Sequence, residues 1–247
     1  MKLIMDTHRL SETQLGDYRN QGFLFLGSVM PEATIDAFHT EEARFRLHPM
    51  RNDQDLPGQL NIFRSQVGRY SEVVRRFATE GPHLPLIQQL LGPNLCLWYI
   101  QFVTKLPEPN QERGEFPWHQ DNGYANIDPG NNVTVWVALD DVNEENGCVW
   151  VMPGSHLQGL LPHQKKSEAN WYLDVPVSGD GVPAILKAGE AVAFTGLTLH
   201  RSKMNRSQFP RRGFFLEYAT PDVLVQGTPI LDRADAWMVT GQVAIPS

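Results

Sequence analysis

Cysteine is scarce in this chain of 247 residues: only Cys96 and Cys148 occur, each inside an apolar run (Leu95-Cys96-Leu97 and Cys148-Val149-Trp150-Val151). That scarcity excludes a disulfide framework, and both read as buried free thiols. Long hydrophobic runs are missing too, since no stretch approaches the roughly 20 apolar residues of a membrane helix. The segment Met1 to Leu10 carries Asp6, Thr7, His8 and Arg9 and lacks a signal-peptide core. The expectations are no membrane partner and a cytoplasmic location. Basic charge is short as well, with 21 Lys and Arg against 28 Asp and Glu and a formal net charge of -7. No basic cluster forms the face that nucleic acid requires, so nucleic acid is excluded as a partner. Internal repeats and low-complexity linkers are likewise lacking.

What remains is an ordinary globular composition, 41% hydrophobic and 20% charged. The length suits one domain, 1–247. The first third, 1–94, reads as helical cover. Ser11 caps a short helix running into Gly22, and Phe23-Leu24-Phe25-Leu26 is a brief strand. Pro31 opens a helix to about Leu47, suggested by the apolar positions Ile35, Phe38, Ala43 and Phe45, whose helical spacing is imperfect. Pro49 to Gly58 is a polar loop. Two short helices between Arg69 and Leu91 are divided by Gly81-Pro82.

At Leu95 the periodicity changes from helical to extended. Leu95–Lys105, Asn132–Leu139, Cys148–Met152, Trp171–Val177, Gly189–Phe194 and Gly213–Tyr218 are strand candidates separated by Gly, Pro and Asn turns. The pattern predicts a mainly β chain: a jelly roll over 95–220 braced by the N-terminal helices, with a tail over 221–247 packed outside.

Within this framework Phe116-Pro117-Trp118-His119-Gln120-Asp121 concentrates the chemistry. His119 and Asp121 are two apart, and on a strand such residues project to one face. A second imidazole would complete a two-histidine, one-carboxylate set that binds a divalent metal and leaves open positions. His200, about 80 residues downstream at the end of another apolar run, is the candidate. The pair Arg211-Arg212, beginning eleven positions further on, offers a guanidinium for a cosubstrate carboxylate. On a regular strand Arg212 points the other way from Arg211 and reads as a surface or inter-strand ion pair; a bulge would exchange the two roles. His156 reads as part of a sharp turn, and Asp140-Asp141 with Glu144-Glu145 as a solvated turn. Loops beside the expected active-site mouth nominate Lys105, Arg113, Asn122, Tyr124 and Trp171 as substrate contacts.

Several motifs together resemble the phytanoyl-CoA dioxygenase family of iron(II)- and 2-oxoglutarate-dependent oxygenases. They are Gly22-Phe23-Leu24-Phe25, Trp118-His119-Gln120-Asp121 and Trp136-Val137-Ala138-Leu139-Asp140-Asp141. With them go Asn146 to His156, then His200 with Ser202, Asn205 and Ser207, and Pro210-Arg211. The resemblance implies a double-stranded β-helix, cupin-like, with Fe(II) held by His119, Asp121 and His200. It gives Arg211 the distal carboxylate of 2-oxoglutarate, Ser202 a supporting hydroxyl, and Gln101 and Trp136 places in the cosubstrate pocket. O2 is the other cosubstrate, and Asp121 speaks against halogenation, for which relatives carry a small residue there. The implied activity is hydroxylation of an unactivated C-H of a small organic metabolite with release of succinate and CO2. A metal-binding cupin that isomerises, hydrolyses or senses without oxygen, or a silent binding module, is the alternative.

Overall fold

The computed structural model describes residues 9–48, 60–108, 114–165 and 171–240. The expected loop at 49–58, Arg113 and the last seven positions lie outside the described residues. Among the described residues there are five α-helices: α1 (Glu12–Gln21), α2 (Glu32–Leu47), α3 (Glu72–Glu80), α4 (Leu84–Leu91) and the short α5 (Asn122–Ala125). The strands of the N-terminal half are β1 (Phe23–Ser28), β2 (Asn61–Ser65), β3 (Leu95–Lys105), β4 (Phe116–His119), β5 (Ile127–Asp128) and β6 (Asn132–Ala138). They are followed by β7 (Val149–Val151), β8 (Gln164–Lys165), β9 (Leu173–Asp174), β10 (Val182–Pro183) and β11 (Glu190–Thr195). The last are β12 (His200–Ser202), β13 (Arg211–Ala219), β14 (Leu224–Val225), β15 (Thr228–Pro229) and β16 (Trp237–Thr240).

The large sheet runs β1-β11-β6-β13-β3-β16, with β2 also on β3, and a smaller sheet runs β10-β7-β12-β4. These are the two antiparallel sheets of the jelly roll. Strand β6 is buried along its whole length because each of its faces is covered by different partners. Val133, Val135 and Val137 join the core formed with the helices, in which Phe38 packs edge-on to Phe77, Phe102 and Phe214. Trp136 and Ala138 face the other way and pack with Trp118, Val149 and Val151 of the smaller sheet. Period-two alternation thus sorts one strand between a helix-backed core and the barrel interior.

The helices stand where their sequence signals put them. Ser11 caps α1 in a reciprocal box with Gln14, and Gly22 ends it with a left-handed φ of 83°. A side chain at Gly22 would meet His156 Nδ1 at 2.4 Å, and the His156 ring in turn bonds the Arg19 carbonyl, so this turn and histidine are structural. Cys96 and Cys148 are buried and free. Among the described residues no helix is long and apolar enough to cross a membrane.

Two parts differ from the sequence reading. Of Trp171–Val177 only Leu173 and Asp174 are in a strand, pairing with β8. The tail is not merely packed outside: Trp237 and Met238 pair with Leu97 and Cys96 of β3, and Leu224 and Val225 pair with Asp128 and Ile127 of β5. It supplies edge strands because half of β3 is left open by β2, which covers only Gln101 to Lys105.

Candidate functional site

Strands β4 and β12 lie side by side in the smaller sheet, with His119 directly opposite His200. The two imidazoles and the Asp121 carboxylate bring ligand atoms to within 4.8 Å of one another. His200 Nε2 is 3.4 Å and His119 Nε2 3.9 Å from Asp121 Oδ1. Each ring is fixed by a backbone carbonyl two residues earlier: His119 Nδ1 donates to Pro117 O at 2.8 Å and His200 Nδ1 to Thr198 O at 3.0 Å. That choice of tautomer leaves both Nε2 lone pairs free to face the carboxylate. Burial, and then His200, push the His119 pKa down to about 3, so this ring is neutral. Burial works against charge on Asp121, but His200 and His119 hold its carboxyl below the ordinary carboxylate range. Two imidazoles and one carboxylate, buried and convergent, are the donor set that fits divalent iron.

The convergence has a different cause from the strand alternation expected for His119 and Asp121. Strand β4 ends at His119, and Asp121 is the helical-geometry residue before α5, with φ -58° and ψ -37°. The chain turns at Gln120, whose amide group bonds Gly159 O, Leu197 O and Leu161 N. The Asp121 carboxylate is then aimed by Thr134 Oγ1, which donates to Oδ2 at 2.6 Å.

Arg211 opens β13 and is 1% exposed. Its Nη2 donates to Gly147 O at 2.9 Å, whereas Nε and Nη1 are buried without a partner. Its guanidinium lies 5.2 Å from the Trp136 ring, and burial lowers its pKa only to about 10, which keeps it charged at neutral pH. Gly213 makes room for that indole, because a Cβ there would sit 2.2 Å from it. Arg212 points to the opposite face and grips Asp140 through Nε and Nη2. Asp141 pairs with Lys187 at 2.7 Å.

A cavity of about 410 Å³ joins these groups. His119, Asp121, His200, Arg211, Ser202, Gln101 and Trp136 all line it, as do Tyr124 and Trp171. Ser202 shares the buried face of β12 with His200. Tyr124 Oη accepts from the Leu173 N–H, and Trp171 is 45% exposed at the mouth. Two other nominated substrate contacts lie elsewhere. Lys105 is 1% exposed and its ammonium bonds the carbonyls of Gly114, Ser202 and Lys203, while burial and Arg211 hold its pKa well below the usual lysine range. Asn122 is buried behind Asp121, where its side-chain oxygen accepts from Asn132.

Sequence reasoning missed Thr134, which carried no signal beyond being a strand threonine. It missed the aromatic wall of Phe63 and Phe116, whose rings meet Trp171 at 5.3 and 5.7 Å. It also missed Glu217, legible as one carboxylate in the apolar run Phe214-Phe215-Leu216-Glu217-Tyr218 and in step with Arg211. Gln226, Arg233 and Asp235 from the tail line the cavity and gave no signal.

Comparisons with known proteins agree with this geometry. The sequence profile described as phytanoyl-CoA dioxygenase matches residues 18–213. The chain is 26% identical over 243 residues to peroxisomal phytanoyl-CoA dioxygenase of Bos taurus, covering 89% of this chain and 72% of that protein. It is 28% identical over 235 residues to ectoine dioxygenase of Bordetella parapertussis, covering 85% and 75%. Among solved structures, the epimerase SnoN in complex with Fe3+, alpha ketoglutarate and nogalamycin RO superposes with a TM-score of 0.73 at 22% identity, covering 89% of this chain and 86% of that one. The non-heme monooxygenase ThoJ gives a TM-score of 0.75 at 24% identity over 93% of this chain and 84% of its own. These two likenesses establish the jelly-roll fold. The chemistry follows from the matched profile and the buried donor set together, and the chain belongs to the phytanoyl-CoA dioxygenase family of iron(II)- and 2-oxoglutarate-dependent oxygenases.

Proposed function

We propose that His119, Asp121 and His200 hold the iron and that Arg211, with Ser202 beside it, takes the distal carboxylate of 2-oxoglutarate. Gln101 and Trp136 line the same cavity, and the reaction hydroxylates an unactivated C-H of a small organic metabolite. The observation that carries this reading is the pair of buried Arg211 donors, Nε and Nη1, without partners in a cavity that the three ligand-type side chains also face. Buried donors are normally satisfied, and a guanidinium left open to a cavity fits a carboxylate. A non-oxidative cupin has no comparable use for it.

The protein's part is orientation and exclusion of water. Pro117 O and Thr198 O hold the imidazoles in the ligating tautomer, and Thr134 holds the carboxylate. Arg211 fixes the far end of the keto acid so that its other end is presented to the iron. The rings of Phe63, Phe116, Tyr124 and Trp171 meet one another along one wall of the cavity and give it an apolar lining. When bound, iron and keto acid supply the oxidising chemistry, one atom of O2 going to the substrate C-H and the other to succinate as CO2 is released. Anaerobic addition of Fe(II) and 2-oxoglutarate should give a weak visible charge-transfer band, and admitting air with substrate should give succinate. A protein that binds iron but never develops the band would contradict the assignment of Arg211 and return the cupin alternative.

A further inference from the structure

Strand β13 carries a second charged side chain into the same cavity. Arg211, Gly213, Phe215 and Glu217 share one face, opposite Lys105, Val103, Gln101 and Tyr99 of β3. Glu217 lines the cavity while being 2% exposed. It accepts from Asn132 Nδ2, and the buried Trp98 indole N–H, outside hydrogen-bond geometry, lies beside the same carboxyl. No cation among the described residues pairs with it. The one arginine in the neighbouring wall, Arg233, is committed through Nε and Nη2 to the two oxygens of Asp235, both at 2.9 Å. Aromatic rings surround it: Tyr99 directly across the ladder, Phe215 two residues back on the same face, and Trp98, whose ring centre is 5.3 Å from that of Tyr99.

Charge decides what such a place suits. On the reading proposed above, a divalent iron and Arg211 cancel the charges of Asp121 and dianionic 2-oxoglutarate. Glu217 is then the uncompensated acid of the cavity, since Asp235 is already neutralised by Arg233. A buried carboxyl without a cation is costly to ionise, and burial followed by Asp121 raises its pKa well above the ordinary range. A ligand bringing a positive charge would supply the missing partner, and rings around it add cation–π attraction. An anionic ligand would meet this acid, and the remaining cavity arginine, Arg201, is already paired with Asp180 and Glu115.

We propose that Glu217 is the substrate-anchoring residue and that the substrate carries a cationic nitrogen, seated between this carboxyl and the rings of Trp98, Tyr99 and Phe215. The substrate is then held at the end of the cavity remote from Arg211, with its C-H bonds extending toward the metal ligands.

The test uses three probes of one shape, benzylammonium, benzyl alcohol and benzoate, titrated into the Fe(II)- and 2-oxoglutarate-loaded enzyme under argon. Tryptophan emission reports binding, and the charge-transfer band reports the cosubstrate independently. The ammonium should bind at least roughly tenfold more tightly than the alcohol, a margin in the range of a partly desolvated cation–π and ion-pair contact, and benzoate more weakly than both. Glu217→Gln should bring the ammonium to the level of the alcohol while the 2-oxoglutarate midpoint of the band stays where it is. Equal affinities for ammonium and alcohol, preferred benzoate, or a Glu217→Gln enzyme that keeps the preference would overturn the proposal. So would a Glu217→Gln enzyme altered only in its band, since that marks a purely structural role behind Asn132. If that variant does not fold, the wild-type ranking and Glu217→Asp decide in its place. An absent band in the wild-type protein speaks against the oxygenase roles given to the ligands and Arg211; a normal band with the wrong ranking speaks against Glu217 alone.

Discussion

Arg211 and Glu217 stand on one face of β13, six residues apart, and therefore about 20 Å from each other along the strand. Both are buried and both line the same cavity. One strand thus carries a guanidinium at one end and a buried acid at the other, both lining the cavity that His119, Asp121 and His200 also line.

The Arg211 end is tested through cosubstrate demand. Arg211→Ala removes the donors facing the cavity, and the 2-oxoglutarate requirement should rise roughly 30-fold or more, about 2 kcal/mol. Titrating the charge-transfer band measures this without turnover. Arg211→Lys should recover only part of the loss, because an ammonium cannot reproduce a bidentate grip.

Replacing a ligand should act differently. His119→Ala and Asp121→Ala should abolish the band at any cosubstrate concentration. Thr134→Val keeps the shape but loses the bond to Asp121 Oδ2. Iron affinity should then fall about 10–100-fold, the usual effect of losing a group that orients a ligand. Competition with a calibrated chelator reads it.

Trp171 and Lys105 should separate binding from folding. Trp171 is half-exposed at the cavity mouth, so Trp171→Ala should raise the substrate KM and change stability by less than about 1 kcal/mol. Lys105→Ala strips an ammonium from three backbone carbonyls and should lower stability by about 2–4 kcal/mol. Denaturant melts and KM for each variant would reverse this assignment if the effects were exchanged.

Acid sensitivity should trace to His83, remote from the ligand cluster. Its Nε2 lies 2.7 Å from Tyr218 Oη, which itself donates to Ala78 O, so the ring nitrogen is the donor. Burial pushes its pKa down to about 3 from an ordinary 6.5. The unfolded chain therefore takes up a proton below pH 6.5 that the folded protein refuses, and stability falls as the pH drops from there toward 3. Between pH 7.5 and 5 the loss should be about 2 kcal/mol. His83→Gln should flatten that part of the profile; an unchanged slope would assign the effect to other groups.

Much of this was legible in the sequence because long strands buried on both faces announce themselves. Leu95–Lys105 is β3 to the residue, and Ser202 follows His200 onto the buried face of β12 as expected. Asp121 was legible as a ligand for a reason that the backbone does not follow. A turn at Gln120 and a hydroxyl from Thr134, distant in sequence, do what strand alternation was expected to do. Lys105 looked like a loop-edge cation, yet its register opposite Arg211 turns it inward, where the carbonyls of β12 and Gly114 absorb its donors. Gln226, Arg233 and Asp235 were unreadable, since short edge strands carry too little periodicity to mark a wall.

The position of those three residues makes one wall of the cavity depend on a short edge pairing. Gln226, Arg233 and Asp235 follow His119, Asp121, His200 and Arg211 in the sequence, and Trp237 ties their segment to Leu97 of β3. A chain cut just past Ala219 would keep those four side chains and lose that wall of the cavity.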